Sequence, residues 1–114
     1  MSQKLFRTAA MLIGFFSADA SSDSIIDTEI TAMMFDKSYG DQVLIKTKDA
    51  HPGDLDCFGS SWSFVLPLTA NSIDDKYYAM LLAAQTAGRT VTLTGYGHCN
   101  DHSGIETLRR IEFK

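Results

Sequence analysis

Residues 72–94, SIDDKYYAMLLAAQTAGRTVTLT, decide the fold, because they predict one helix that is followed at once by a strand. Ser72 is a favourable N-cap residue, and Asp75, three residues later, completes a variant of the capping box. Apolar side chains then recur at helical spacing and form one stripe: Ile73, Tyr77, Met80, Leu81 and Ala84. Gly88 favours the left-handed conformation that ends a helix. Residues 90–94 alternate as a half-buried strand does.

Besides the strand over 90–94, three strands are predicted before the helix and one is predicted after residue 94. The first two cover residues 29–35 and 43–47, and the third, residues 62–68, alternates most clearly. After a loop over 95–104, residues 105–113 predict the last strand, with Arg109, Ile111 and Phe113 on one face. The order β-β-β-α-β-β is typical of a mainly β, OB-like five-stranded barrel with one helix. A small α+β sandwich, with the helix packed on an open sheet, is the alternative.

The N-terminus has the three parts of a secretory signal peptide. Lys4 and Arg7 supply the positive region, residues 8–16 are apolar, and Ala18-Asp19-Ala20 provides small residues at a cleavage site. We therefore expect a signal peptide over 1–20, a single mature domain over 21–114, and a secreted or periplasmic location. A buried N-terminal helix of the mature fold is the alternative.

Cys57 and Cys99 are the two cysteines of the chain. In an oxidising compartment an even pair predicts one disulfide. The bond would close a loop of roughly 40 residues, for which chain entropy predicts about 4 kcal/mol of stabilisation. A free nucleophilic thiol or a metal-bound thiolate is the alternative.

The charge balance makes several classes of function unattractive. Ten basic and 14 acidic residues give a formal net charge of −4 at pH 7, and no basic run is present. Nucleic acid and anionic membrane surfaces are therefore poor candidate partners. No second apolar stretch is long enough to insert into a membrane.

The densest set of potential metal ligands is His98, Cys99, Asp101 and His102. A spacing of four residues brings two histidines to one face only in a helix, whereas Gly95, Gly97 and Gly104 indicate a loop. We therefore predict no metal and no cofactor. No constellation of side chains argues for catalysis, and the protein is predicted not to be an enzyme.

A family resemblance rests on residues 77–99, YYAMLLAAQTAGRTVTLTGYGHC, preceded by Cys57 and Trp62. This half of the chain resembles small secreted bacterial proteins related to the B subunit of subtilase cytotoxin. The resemblance implies an OB-fold, a disulfide and a glycan-binding subunit without catalytic residues. It also implies a homo-oligomer, a ring of five in the toxins, which either delivers an enzymatic A subunit or acts alone.

The same resemblance suggests where a cell-surface glycan, sialylated or other, would bind. The toxin family uses a serine before the first strand and an aromatic residue near the end of the fourth. Ser24 and Tyr96 occupy comparable places here, and Asp27 and Asp41 could accept hydrogen bonds from sugar hydroxyls. The alternative is that Tyr96 is an ordinary loop aromatic.

A second functional hypothesis is a secreted or periplasmic module that binds a protein and no sugar. Met33 and Met34 bear separately on oligomerisation, because neighbours on a strand face opposite sides and both are apolar. Either a neighbouring subunit or a covering loop of the same chain would bury the second face.

Overall fold

The computed structural model describes residues 24–69 and 72–114, and Ser72 in its backbone only. The expected signal peptide over 1–20 and the capping side chain of Ser72 lie outside the described residues. The described chain forms six strands, one short 3-10 turn and one α-helix. In chain order these are β1 (Ile25–Thr28), β2 (Ile30–Phe35), the turn (Lys37–Tyr39), β3 (Gln42–Thr47), β4 (Phe64–Pro67), α1 (Ser72–Ala87), β5 (Val91–Gly95) and β6 (Glu106–Phe113).

The strands form one curled sheet in the order β1-β5-β6-β4-β3-β2. All neighbouring strands are antiparallel except β4 and β6, which are parallel. The edge strands β1 and β2 are separated in the chain by Glu29 alone. Because this one residue joins the two edge strands, the sheet must curve so that its two edges approach each other. The mainly β architecture with one helix is confirmed.

The predicted five strands and their order are wrong in detail. The segment expected to form one strand over 29–35 starts earlier and is divided into β1 and β2, with a register irregularity between Ile30 and Ala32. β1 pairs with β5, a partner some 65 residues away along the chain, so its local pattern carries little signal. β4 is also shorter than predicted, because Trp62 precedes the strand.

The main core lies between the concave face of the sheet and α1. Its fully or nearly buried members come from β2 to β6 and from the helix: Ile30, Val43, Ile45, Phe64, Leu66, Leu81, Ala84, Val91, Leu93, Leu108 and Ile111. The stripe predicted on the helix is therefore confirmed at Leu81 and Ala84, with Tyr77 and Met80 partly buried beside them. Gly88 has a φ of 64°, and Arg89 N donates to Ala84 O at 3.0 Å, which ends the helix as predicted.

A second, smaller apolar cluster covers the other face of the sheet. Leu44, Val65 and Ile105 form it, and Met34 and Trp62 pack against it. Met33 packs against the main core instead. The two neighbouring methionines thus face opposite sides, and residues of the same chain partly bury the outer one.

The disulfide between Cys57 and Cys99 is confirmed, with a Cα–Cα distance of 6.0 Å. It joins the β3–β4 connection (residues 48–63) to the β5–β6 connection (residues 96–105). Neither thiol is therefore available as a nucleophile or a metal ligand. No helix among the described residues is long and apolar enough to cross a membrane.

Candidate functional site

A cleft of about 300 Å³ opens where the start of α1 meets the end of β4 and the β5–β6 connection. We call it the Tyr96 cleft. It is lined by Leu66, Pro67, Thr69, Ile73, Asp74, Tyr77, Tyr96, His98, Asp101, Thr107, Leu108 and Arg109. The set combines one apolar floor with aromatic, acidic and basic side chains, as small-molecule sites commonly do.

An aromatic pair forms one wall of this cleft. The rings of Tyr96 and His98 stack with their centroids 5.3 Å apart and their planes 13° from parallel. Tyr96 remains 51% exposed, so the pair offers an open flat surface. Backbone bonds to β6 fix both residues: Tyr96 N donates to Thr107 O at 2.9 Å, and Thr107 N donates to His98 O at 3.0 Å. The loop that carries the two rings is therefore fixed to strand β6 by backbone hydrogen bonds.

Polar groups border the stacked pair. The Asp101 carboxylate accepts a hydrogen bond of 2.9 Å from Thr107 Oγ1, and Asp74 accepts one of 3.0 Å from Thr69 N. His98 Nδ1 accepts from Asn100 N at 3.3 Å, which leaves the ring proton of a neutral His98 on Nε2. Carboxylates, an imidazole N–H and the Arg109 guanidinium beside a flat aromatic ring suit a ligand rich in hydroxyl groups.

Two connections meet at this end of the sheet. Residues 36–41 join β2 to β3, and residues 96–105 join β5 to β6. The Tyr39 ring lies edge-on against His102 at 4.8 Å, and His102 Nδ1 donates to Gln42 Oε1 at 2.7 Å. These contacts support the loop that carries Tyr96.

A buried carboxylate lies behind the cleft. Glu106 is 0% exposed, and its two oxygens accept three hydrogen bonds. His51 Nε2 donates to Oε1 at 2.6 Å, while Gly97 N and Ser24 N donate to Oε2 at 2.8 and 3.3 Å. Gly53 N in turn donates to His51 Nδ1 at 2.8 Å, which fixes the neutral tautomer with its proton on Nε2. We call Glu106, His51 and their backbone donors the Glu106 hub.

The hub changes the acidity of Glu106. Burial alone raises the pKa of a carboxyl group, but the hydrogen bonds from His51, Gly97 and Ser24 outweigh it and lower the pKa of Glu106 below its ordinary value. Gly95, on the adjacent strand β5, must be a glycine, since a Cβ atom there would overlap the Glu106 carboxylate. The hub thus holds an ionised group between three segments that have no regular structure of their own.

The structure separates the four residues predicted to bind a glycan, and only Tyr96 lines the cleft. Ser24 is buried, and its hydroxyl donates to Asp54 at 3.1 Å. Asp27 lies on β1 and accepts from Thr92 Oγ1 at 2.6 Å. Asp41 lies on the β2–β3 connection, where its carbonyl accepts from Leu68 N at 2.8 Å.

Sequence reasoning missed Glu106 and His51. The signal was present but weak: Glu106 opens a strand in which Leu108 and Ile111 are buried, and Gly95 faces it from the neighbouring strand. Nothing in the local pattern pairs it with a histidine 55 residues away.

Among residues 24–69 and 72–114, no group of three or more His, Cys, Asp or Glu side chains is arranged to hold a metal ion. No family model, no curated protein and no solved structure matches the chain.

Proposed function

We propose that this protein is an exported, non-catalytic glycan-binding module, and that the Tyr96 cleft is its sugar site. One observation carries the proposal: the stacked Tyr96 and His98 rings form a half-exposed flat surface beside the Asp101 carboxylate. A pyranose presents C–H groups on one face, which pack on an aromatic ring, and hydroxyls at its edge, which need hydrogen-bonding partners. The cleft offers both kinds of contact within one wall.

The strand order of the curled sheet supports this assignment. If β1 and β2 are counted as one strand bent at Glu29, the sheet has five strands, and the helix lies between the third and the fourth. That is the order of an OB-fold, whose loops after the first and the fourth strand commonly bind oligosaccharides or oligonucleotides. Here those loops are residues 36–41 and 96–105, and they contact each other at the Tyr96 cleft. The acidic net charge of −4 favours the saccharide.

The residues predicted from the sequence take different parts in this proposal. Tyr96 stacks on the sugar face. Asp41 and Asp27 accept hydrogen bonds from hydroxyl groups in the parts of a longer glycan that extend out of the cleft. The Ser24 hydroxyl could bind a ligand only after losing its hydrogen bond to Asp54. The main contribution of Ser24 is therefore the hydrogen bond from its backbone N–H to Glu106 in the hub.

Export and assembly complete the proposal. The disulfide is compatible with a secreted or periplasmic location. Exposed Ile25 and Leu82 give apolar surface for a homo-oligomer such as a pentamer, to which an A subunit could attach. The resemblance to the B subunit of subtilase cytotoxin is the basis for proposing that arrangement.

A glycan array probed with the mature protein, residues 21–114, tests the proposal. We expect selective binding that Tyr96→Ala reduces at least about ten-fold, because most of the stacking surface is removed. Tyr96→Phe keeps the ring and retains most of the binding. The matched control is Phe35→Ala, which removes a ring of similar exposure, 52%, on β2. Native mass spectrometry of each variant checks that the oligomeric state has not changed.

Two results would contradict the proposal. Equal losses for Tyr96→Ala and Phe35→Ala would exclude the cleft as the sugar site. Absence of any glycan signal, together with specific capture of one protein partner, would favour the alternative of a protein-binding module.

A further inference from the structure

A second cleft, of about 280 Å³, lies at the opposite end of β4 from the Tyr96 cleft. It is formed by the end of β3 and by the connection between β3 and β4. We call it the Lys46 cleft. Its lining residues are Lys46, Thr47, Lys48, Ala50, His51, Phe58, Ser60, Ser61 and Ser63.

The charge of the Lys46 cleft is opposite to that of the whole chain. Among the described residues, Lys46 and Lys48 line it and no acidic side chain does, in a protein with 14 acidic and 10 basic residues. Within the described residues, neither ammonium group has a carboxylate within 4.0 Å, whereas Lys114 and Arg110 do. The Lys46 ammonium instead lies 5.1 Å from the centre of the Trp62 ring, a contact that leaves its positive charge without a carboxylate partner among the described residues. The two positive charges are therefore available to a ligand.

Hydroxyl groups surround these charges. Ser60 Oγ accepts from Trp62 N at 3.0 Å, so its own proton can be donated elsewhere. Ser61 is exposed at the cleft rim. Beneath them, the Thr47 and Ser63 hydroxyls bond to each other at 2.6 Å and form a satisfied polar floor. Besides this floor, the lining thus includes two lysines and two serines whose side chains can donate hydrogen bonds.

We propose that the Lys46 cleft binds a tetrahedral oxyanion, either a sulfate or phosphate ester on a sugar or the free inorganic ion. Lysine ammonium groups bind such anions as point charges, and serine hydroxyls complete the hydrogen bonds to the remaining oxygens. Two lysines without a continuing basic track suit one anionic group rather than a polyanion. The site is independent of the sugar site proposed at Tyr96, and neither needs the other.

The chain contains its own reporter for this site. Trp62 is the single tryptophan, and it contacts Lys46. Titration of the mature protein with sodium sulfate and with sodium phosphate, against sodium chloride at matched ionic strength, should give a saturable change in tryptophan fluorescence for the oxyanions only. Lys48→Gln removes one charge without touching Trp62 and should weaken the apparent affinity by roughly five-fold. Lys76→Gln, on the exposed face of α1, is the control for net charge and should change little.

Further arms of the experiment separate the two sources of the anion. A sulfated disaccharide that binds more tightly than inorganic sulfate, while its unsulfated form gives no signal, supports a sugar ester as ligand. Saturation by inorganic phosphate or sulfate alone supports the free ion. A response that chloride reproduces, or an equal loss for Lys48→Gln and Lys76→Gln, overturns the proposal. Because Tyr96→Ala leaves the Lys46 cleft intact, failure at one cleft does not imply failure at the other.

Discussion

The clefts at the two ends of β4 have opposite chemical character. The Tyr96 cleft carries stacked aromatic rings, two aspartates and an arginine, whereas the described lining of the Lys46 cleft has two lysines and serine hydroxyls and no carboxylate. The Glu106 hub lies between them. His51 lines the Lys46 cleft, and Gly97 is the neighbour of Tyr96 and His98. One buried carboxylate thus positions loops at both clefts, which shows that irregular segments can be fixed by a single ionised group.

The disulfide connects the same two loops covalently, because Cys57 belongs to the β3–β4 connection and Cys99 to the β5–β6 connection. Replacing both cysteines by serine should have the largest effect on stability. The loop-entropy relation predicts a loss of about 4 kcal/mol in the free energy of unfolding. Urea denaturation of the double variant and of the oxidised wild type measures it. A loss below about 1 kcal/mol would mean that the hub alone holds the two loops together.

Glu106→Gln keeps the shape of the side chain but removes its negative charge and one acceptor oxygen from the hub. The carboxamide replaces one acceptor oxygen by an NH₂ group, which then faces a donor of His51, Gly97 or Ser24. We expect a loss of about 2 kcal/mol in the free energy of unfolding, measured by urea denaturation, because buried donors lose their acceptor.

The matched control for that variant is Glu112→Gln, on the same strand with its side chain 51% exposed. It should change stability by less than about 0.5 kcal/mol. If the hub aligns both clefts, Glu106→Gln also weakens glycan binding and anion binding, and Glu112→Gln weakens neither. A Glu106→Gln protein that keeps wild-type affinity at both clefts would limit the hub to a role in stability.

The smallest effect is the pH dependence that Glu106 contributes. Its pKa is lower in the folded protein than its ordinary value of 4.5, so the unfolded chain takes up its proton first as the pH falls. The stabilisation is therefore complete above about pH 4.5 and is lost as the pH falls through the folded pKa. The difference in unfolding free energy between wild type and Glu106→Gln should be constant from about pH 5 to 7 and shrink in more acidic solution. A difference that does not change down to about pH 3 would contradict the assignment of an ionised Glu106.

The spacing of apolar and capping residues predicts those elements that are stabilised mainly by residues close to them in the sequence. Leu81 and Ala84 lie on one helical face, and Gly88 ends the helix, so that element follows from the sequence. β1 does not, because Ile25 is exposed and the strand depends on pairing with β5.

The last strand shows the same limit. Leu108 and Ile111 are both buried although they are three residues apart, because the register with β5 shifts between Thr94 and Gly95. The strict alternation expected for Arg109, Ile111 and Phe113 therefore misses Leu108 and Glu106. The extra residue of this irregularity is Arg109 of β6, which the register with β5 skips, and it shifts the buried positions before it by one residue.

The sequence by itself determined the helix, most of the strands and the pairing of Cys57 with Cys99, because spacing, capping and an even cysteine count act locally or leave one choice. Only the tertiary structure decided that Glu106 is buried on His51, that the stacked Tyr96 and His98 rings face a cleft, and that the cleft of Lys46 and Lys48 is lined by no acidic side chain of the described residues. The physical reason is that the partner of Glu106 and the other walls of both clefts come from segments that are distant along the chain. The energies of these contacts depend on burial and geometry, which a linear pattern does not contain.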